Sequence, residues 1–261
     1  MKLLVDFGNS RVKWAWLVGA ELRDPGALVH AGIGIGTLVA RILAGRRAEE
    51  VRLASVAAGG VTAELDMALQ HAARAPVHVA CTRSAAAGVR NGYHEPRQLG
   101  VDRWLALVAA YTRYRSAVCV VDAGTAWTVD VVEADGEHLG GFIVPGPMLM
   151  RQALVGATGR IAPAAGLLPD PVDAGEAWGR DTEACMRKGA RRAGVSLVES
   201  CWKAFGVRDG TTPVLVLTGG DAGELRPLLS VPSEHRPLLV LEGLALPGMA
   251  GPDRVCAGPD R

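Results

Sequence analysis

Hydrophobic positions along the chain fall into two regimes. Short continuous apolar runs, Lys2–Asp6, Val51–Ala57, Val77–Val79, Ala117–Asp122 and Pro213–Leu217, read as buried strands. Val12–Val18 and Trp127–Glu133 read as strands returning after a tight turn, so each closes a hairpin with the run before it. Between them lie segments with apolar residues at helical spacing: Thr37–Leu43 after the glycine-rich Gly32–Gly36, Ala63–Arg74, and Val101–Tyr114, where Trp104, Leu105, Val108 and Tyr111 share a face. A long helix is predicted from about Thr182 to Phe205, after a Pro/Ala-rich loop over Ile161–Asp173. Leu238–Leu241 is a strand or the approach to a last helix around Glu242–Leu246. The Gly/Pro-rich stretch from Pro247 onward reads as a frayed tail. Strands alternating with helices and opened by hairpins predict mixed α/β sheets covered by helices.

The pattern repeats. LLVDFGNSRVKWAWL near the start and VCVVDAGTAWTVDVV near the middle share one order: apolar strand, Asp, any residue, Gly, Asn or Thr, returning strand. The two copies lie too far apart for a solenoid and indicate a duplicated half-domain. The chain of 261 residues has room for two such halves, expected at 1–115 and 116–261.

Composition narrows the function. Net charge is +1, which excludes a nucleic-acid surface built on bulk positive charge, and Arg187, Lys188, Arg191 and Arg192 fit the solvated face of a helix. The five cysteines, Cys81, Cys119, Cys185, Cys201 and Cys256, form no CxxC pair and are expected as reduced thiols in a cytoplasmic protein. The N-terminus lacks the apolar core of a signal peptide, and no apolar run is long enough to span a bilayer. No GxxxxGK[ST] loop is present, and Asp6-Phe7-Gly8 lacks the HRD loop that would accompany it in a protein kinase.

The candidate chemistry sits at the repeated turns. Asp6 ends a strand and can hold Mg²⁺ directly or through water. Gly8 lets the backbone approach a phosphate, Asn9 and Ser10 add hydrogen bonds, and Lys13 adds a point charge. The alternative for this segment alone is a plain hairpin with a solvated lysine. Asp122, Gly124, Thr125, Ala126, Thr128 and Asp130 repeat the device, and two such turns suit one polyphosphate. Thr218-Gly219-Gly220-Asp221 follows a strand and permits close approach of an adenine or ribose; the alternative is a tight strand-to-helix turn. Asn91, Gly92, Tyr93 and Pro96 precede Gly100-Val101-Asp102-Arg103. Asp102 stands at a helix start, where an N-cap role is the plain alternative, and Arg103 can take a carboxylate in bidentate fashion.

On these motifs, from about residue 2 to 246, the chain resembles the type III pantothenate kinases of the acetokinase, sugar kinase, Hsp70 and actin group. Gly140-Gly141, Pro145-Gly146 and Gly179-Arg180-Asp181-Thr182 fall in the expected order, and the Gly-x-Asp-Arg element at 100–103 is the one that points to pantothenate. The resemblance implies a duplicated ribonuclease-H-like, actin-like ATPase fold and transfer of the ATP γ-phosphoryl group to pantothenate, giving 4'-phosphopantothenate, the first step of coenzyme A synthesis. It implies Asp102 as general base, Asp6 as a holder of Mg²⁺, and Asp122 as the ligand of a monovalent cation, K⁺ or NH₄⁺. Tyr93, Gly100, Arg103 and Thr182 become pantothenate contacts, with Thr182 supplied by the partner in a homodimer that buries the long helix. Gly8, Asn9, Ser10, Lys13, Gly124, Thr125, Thr128, Thr218, Gly219 and Gly220 become ATP contacts. Trp127 stands where a smaller apolar residue is usual, and Ser10 replaces the commoner Thr. The rival readings are an accessory factor for a transcription regulator and an actin-like or Hsp70-like ATPase switch.

Overall fold

A computed structural model describes residues 1–157, 178–209 and 212–251. The predicted loop over Ile161–Asp173 lies outside these residues. In chain order the elements are β1 (Lys2–Phe7), β2 (Arg11–Val18), β3 (Glu21–Val29), α1 (Ile35–Leu43), β4 (Glu50–Ser55), α2 (Gly59–Ala73), β5 (Val77–Val79), β6 (Ala85–Ala86), β7 (Val89–Arg90) and α3 (Val101–Tyr114). Then follow β8 (Val118–Ala123), β9 (Ala126–Val132), β10 (His138–Pro145), α4 (Pro147–Ala157), α5 (Thr182–Asp209), β11 (Val214–Thr218), α6 (Ala222–Leu225), β12 (Glu234–His235) and α7 (Leu239–Ala245).

Two five-stranded mixed sheets carry the fold. Their orders are β3-β2-β1-β4-β5 and β10-β9-β8-β11-β12, which is the same topology twice. In the first, β1 runs antiparallel to β2 and parallel to β4. In the second, β8 runs antiparallel to β9 and parallel to β11. This is the duplicated ribonuclease-H-like plan. The central strands β1 and β8 are covered on both faces, which is why they read as unbroken apolar runs. Each has one less buried residue just before its last position, Asp6 in β1 and Asp122 in β8.

The chain divides into two compact units. The first comprises residues 1–115, 135–139 and 238–261, and the second 116–134 and 140–237. In the first unit Leu3, Val5, Phe7, Val12 and Trp16 pack with α1 and α2 through Leu38, Ile42, Leu65 and Leu69. Strand alternation then turns Leu4 and Asp6 to the other face, which α3 and α7 cover. Gly243 makes the α3–α7 contact possible, since a Cβ there would fall 2.2 Å from the Leu105 carbonyl oxygen. Arg52 of β4 donates to the carbonyls of Leu244, Ala245 and Leu246 at 3.1–3.3 Å, satisfying the open C-terminal end of α7.

Several expectations shift. α7 is a helix from Leu239, so the strand alternative falls. Met249 and Ala250 are buried, so the frayed tail does not begin at Pro247. β3 was not predicted; it is a half-exposed edge strand holding Pro25, with Gly26 fitted against the Trp14 ring. Cys119, Cys185 and Cys201 are free thiols, but Cys81 is disulfide-bonded, so the expectation of uniformly reduced thiols is corrected. Arg187, Lys188 and Arg191 are half-buried on α5 rather than fully solvated. Among the described residues no helix is long and apolar enough to cross a membrane.

Candidate active site

The first turn is built where β1 runs out. Gly8 N–H donates to the Arg11 carbonyl at 3.0 Å, closing the turn to β2, and Val56 N–H donates to the Phe7 carbonyl at 3.2 Å. His30, just past β3, fixes the turn from the side. Its backbone N–H donates to the Ser10 carbonyl at 3.3 Å and its ring stacks on Phe7 at 4.4 Å. Its Nε2 lies 2.9 Å from the Gly8 carbonyl oxygen, which only accepts, so Nε2 carries the proton. Asn9 at the tip is exposed. Lys13 is the cross-strand partner of Asp6, so ammonium and carboxylate share a face. Beside the turn lies a cavity of 320 Å³, lined by Phe7, Gly8, Asn9 and His30 and by the apolar Ile33 and Leu38.

The same unit holds the proposed substrate segment. Gly100 is the residue that precedes α3, and among the described residues no side chain caps that helix. The capping role for Asp102 is therefore corrected: Asp102 lies in the first turn, and its Oδ1 accepts the Arg103 N–H at 2.7 Å. A carboxylate there is favoured by the positive end of a 14-residue helix. Gly100 has no Cβ because one would fall 2.6 Å from Asp102 Oδ1. Arg103 is buried at 7% exposure and donates from Nη1 to the Tyr93 hydroxyl at 2.8 Å, with its guanidinium 5.6 Å from the Tyr93 ring centre. Asn91 braces the approach, donating to the carbonyls of Arg83 and Pro96 and accepting the Tyr93 N–H at 3.0 Å. Asp6 and α3, which carries Asp102, thus lie on one side of the first sheet.

His138 belongs to this cluster and was missed in the sequence. It is 1% exposed, stacks on Tyr93 at 5.9 Å and 12°, and accepts the Gly92 N–H at Nδ1, 3.4 Å away. No motif marks it. The one signal was the Asp135-Gly136 turn that delivers it.

The second unit repeats the turn. Gly124 N–H donates to the Ala126 carbonyl at 3.2 Å and Gly146 N–H to the Thr125 carbonyl at 2.9 Å. Asp122 pairs across strands with Thr128 on β9 and Thr218 on β11, so the three side chains form a row on one face, with Asp130 on the same side of β9. Thr218 is fully buried, and its hydroxyl has no hydrogen-bond partner among the described residues. Gly219 follows at φ +96°, and a Cβ there would fall 2.3 Å from the Ala123 carbonyl oxygen and 2.5 Å from Asp122 Oδ1. Gly220 beside it is exposed. Asp221 opens the short α6 and accepts the Trp127 indole N–H at 3.4 Å, which is the strand-to-helix turn with a tie to β9. The large Trp127 ring is accommodated by Gly194 of α5, where a Cβ would fall 2.4 Å from it. Thr182 is exposed at the start of α5, where Asp181 caps the helix by accepting the Ala184 N–H at 2.8 Å.

The donor sets suit hard cations. Among the described residues no group of three or more His, Cys, Asp or Glu could cage a metal. A single carboxylate such as Asp6, completed by phosphate oxygens and water, is how Mg²⁺ is commonly held. Asp122 and the Thr218 hydroxyl present oxygen atoms on one face of the second sheet.

The first unit holds the Gly8 turn, the buried Arg103 paired with Tyr93 and the Asp102 carboxylate at a helix start, and the second unit holds the matching turn at Gly124. The family model for type III pantothenate kinase matches residues 2–204. The chain belongs to the type III pantothenate kinase family. Its relatives agree. The type III pantothenate kinase of Halorhodospira halophila is 40% identical over 251 residues, covering 94% of this chain and 96% of that one. That of Nitrosococcus oceani is 38% identical over 253 residues, covering 94% and 92%. Among solved structures, a Campylobacter jejuni protein described as a Baf family transcriptional activator aligns with TM-score 0.58 at 19% identity, covering 93% of this chain and 94% of that one. At that identity the likeness speaks for the fold alone. Membership makes the chain a kinase of the duplicated ATPase fold that uses ATP with a divalent metal.

Proposed function

We propose that the chain phosphorylates pantothenate with Asp102 as general base and Arg103 as the anchor of the substrate carboxylate. The observation that carries this is the pairing of buried Arg103 with Tyr93 one residue from Asp102. A buried guanidinium held by a phenol is aimed and dehydrated, which suits bidentate capture of a carboxylate. The substrate's primary hydroxyl is then held against Asp102. Its oxygen forms the bond to the γ-phosphorus, Asp102 takes its proton, the bond from the γ-phosphorus to the β–γ bridging oxygen breaks, and ADP leaves. Mg²⁺ at Asp6 would neutralise charge on the phosphate oxygens. In the first unit the turn at Gly8–Ser10 offers polar groups to phosphate oxygens and Lys13 adds charge; in the second the turn at Gly124–Thr125 offers polar groups of the same kind, and Thr218–Gly220 leaves room for a nucleoside.

Asp122, Thr128 and Thr218 form the row we assign to K⁺ or NH₄⁺. Residues 1–115 and 116–261 are read as the two halves of the duplication. A homodimer is supported by apolar surface. Ala190, Val198 and Phe205 of α5 pack inside the second unit, while Phe142, Ile143, Met148, Leu149 and Leu154 on β10 and α4 stay exposed. Thr182 would meet substrate across that dimer, and a stable active monomer in sedimentation would remove both claims. The reading places the chain in the cytoplasm, where ATP is available. ATP turnover that appears only when pantothenate is added tests the function. Turnover without pantothenate favours an ATPase switch, and no turnover under either condition favours the accessory role.

A further inference from the structure

We propose that His138 is a positioning residue for the pantothenate site, holding Tyr93 and through it Arg103 in the orientation that accepts the substrate carboxylate. The inference rests on the reading that Tyr93 and Arg103 take pantothenate.

The segment that carries His138 is locked in place. Residues 135–139, the end of the β9–β10 turn and the first two residues of β10, belong to the first unit. Gly136 has φ +90°, and a Cβ on it would fall 2.0 Å from the Gly88 carbonyl oxygen, so only glycine fits. Arg90 N–H donates to the Gly136 carbonyl at 2.8 Å. The Arg90 guanidinium bonds the carboxylates of Glu137 and Asp135 at 2.8 and 2.9 Å. Gly92 sits so close that a Cβ there would fall 1.7 Å from the His138 carbonyl oxygen. These contacts involve the backbone and the neighbours of His138, not its ring. The backbone of the segment therefore has supports of its own, apart from the ring.

The ring makes two contacts with the substrate segment, and each constrains a different freedom. Nδ1 accepts the Gly92 N–H, so Nδ1 is unprotonated and fixes the backbone one residue before Tyr93. The imidazole plane stacks on the phenol ring, fixing the torsions that aim the Tyr93 hydroxyl. That hydroxyl accepts from Arg103 Nη1 at 2.8 Å. Arg103 is long and buried, and its planar fork binds a carboxylate well only in one orientation. A chain of contacts thus runs from His138 to Tyr93 to Arg103. The phosphate turn at Gly8–Ser10 has its own supports in His30 and Arg11.

This separation makes the test selective. His138→Phe keeps a flat ring for the stack and loses the acceptor. His138→Asn places an amide oxygen near the Nδ1 position and loses the ring. His138→Ala loses both. KM for pantothenate and for ATP is measured for each, with melting temperature alongside. Loss of one such contact is worth about 1 kcal/mol, so KM for pantothenate should rise roughly fivefold in His138→Phe and in His138→Asn. His138→Ala should rise further, and KM for ATP should stay within about twofold of wild type. Pantothenate KM near wild type in the Phe and Asn variants would overturn the proposal. So would an equal rise for both substrates with a fall in melting temperature, the mark of a general packing role. If the wild type shows no pantothenate-dependent turnover, the parent reading fails before any variant is compared.

Discussion

Replacing Gly219 with alanine places a methyl group where the end of β8 meets the turn after β11. The new Cβ would lie 2.3 Å from the Ala123 carbonyl oxygen and 2.5 Å from Asp122 Oδ1, nearer than any real Cβ approaches. The backbone there has φ +96°, a conformation that costs an L-residue about 1–2 kcal/mol by itself. Relief by movement is restricted, because Ala123 and Asp122 end the central strand β8, paired on both sides with β9 and β11. Overpacking of this kind costs roughly 1–3 kcal/mol, so the variant should lose roughly 2–5 kcal/mol. For a chain of this size that is a fall in melting temperature of roughly 5–15 °C. The Asp122 carboxylate must turn away from the new methyl, which removes it from the row with Thr128 and Thr218. Thermal melting and an ATP titration in K⁺ buffer read both effects. Unchanged melting together with a wild-type KM for ATP would refute the argument, since it would mean the turn can reshape without cost.

Other perturbations read single links. His30→Ala removes the stack on Phe7 and the bond to the Gly8 carbonyl, so KM for ATP should rise several-fold with KM for pantothenate unchanged; equal KM values for ATP would show that the turn holds itself. Asp122→Asn should abolish any activation by K⁺ or NH₄⁺ over Na⁺, and a variant that still responds to these ions would remove the cation from that row. Burial alone would raise the Glu50 carboxyl, but hydrogen bonds from Arg52 and Lys2 outweigh it and hold it below its usual value. Its contribution to stability is therefore complete above the ordinary carboxylate range and is lost as pH falls through the lowered value. Glu50→Gln should flatten the acid side of the melting-temperature profile, and an unchanged acid slope would show that other carboxylates carry it.

The parts of the fold that were legible in the sequence share a physical cause. β1 and β8 are buried on both faces, so they had to be apolar, and the acids Asp6 and Asp122 stood out against that background. The hairpins and α3 were readable for the same reason. β3 was not, because an edge strand exposed on one side can hold Asp24 and Pro25 and lose its pattern. α2 begins at Gly59, before the expected Ala63, since two glycines in its first turn read as loop. The motif residues of the site came from spacing, but Asp102 was offered a capping role that the backbone gives to Gly100. His138 was invisible because its partners, Gly92 and Tyr93, lie far away in the sequence and the contact depends on two glycines rather than on any motif.

The most direct test of the account is the turnover of Asp102→Asn. The substitution keeps size and shape, and the amide oxygen can still accept the Arg103 N–H that Oδ1 now accepts at 2.7 Å. The fold, the melting temperature and ATP binding should therefore stay near wild type. An amide cannot take the proton of the attacking hydroxyl, and a positioned base contributes about 10²–10⁴-fold, so pantothenate-dependent kcat should fall by about that factor. A variant that binds ATP normally and turns over pantothenate at the wild-type rate would contradict the assignment of Asp102 as the base.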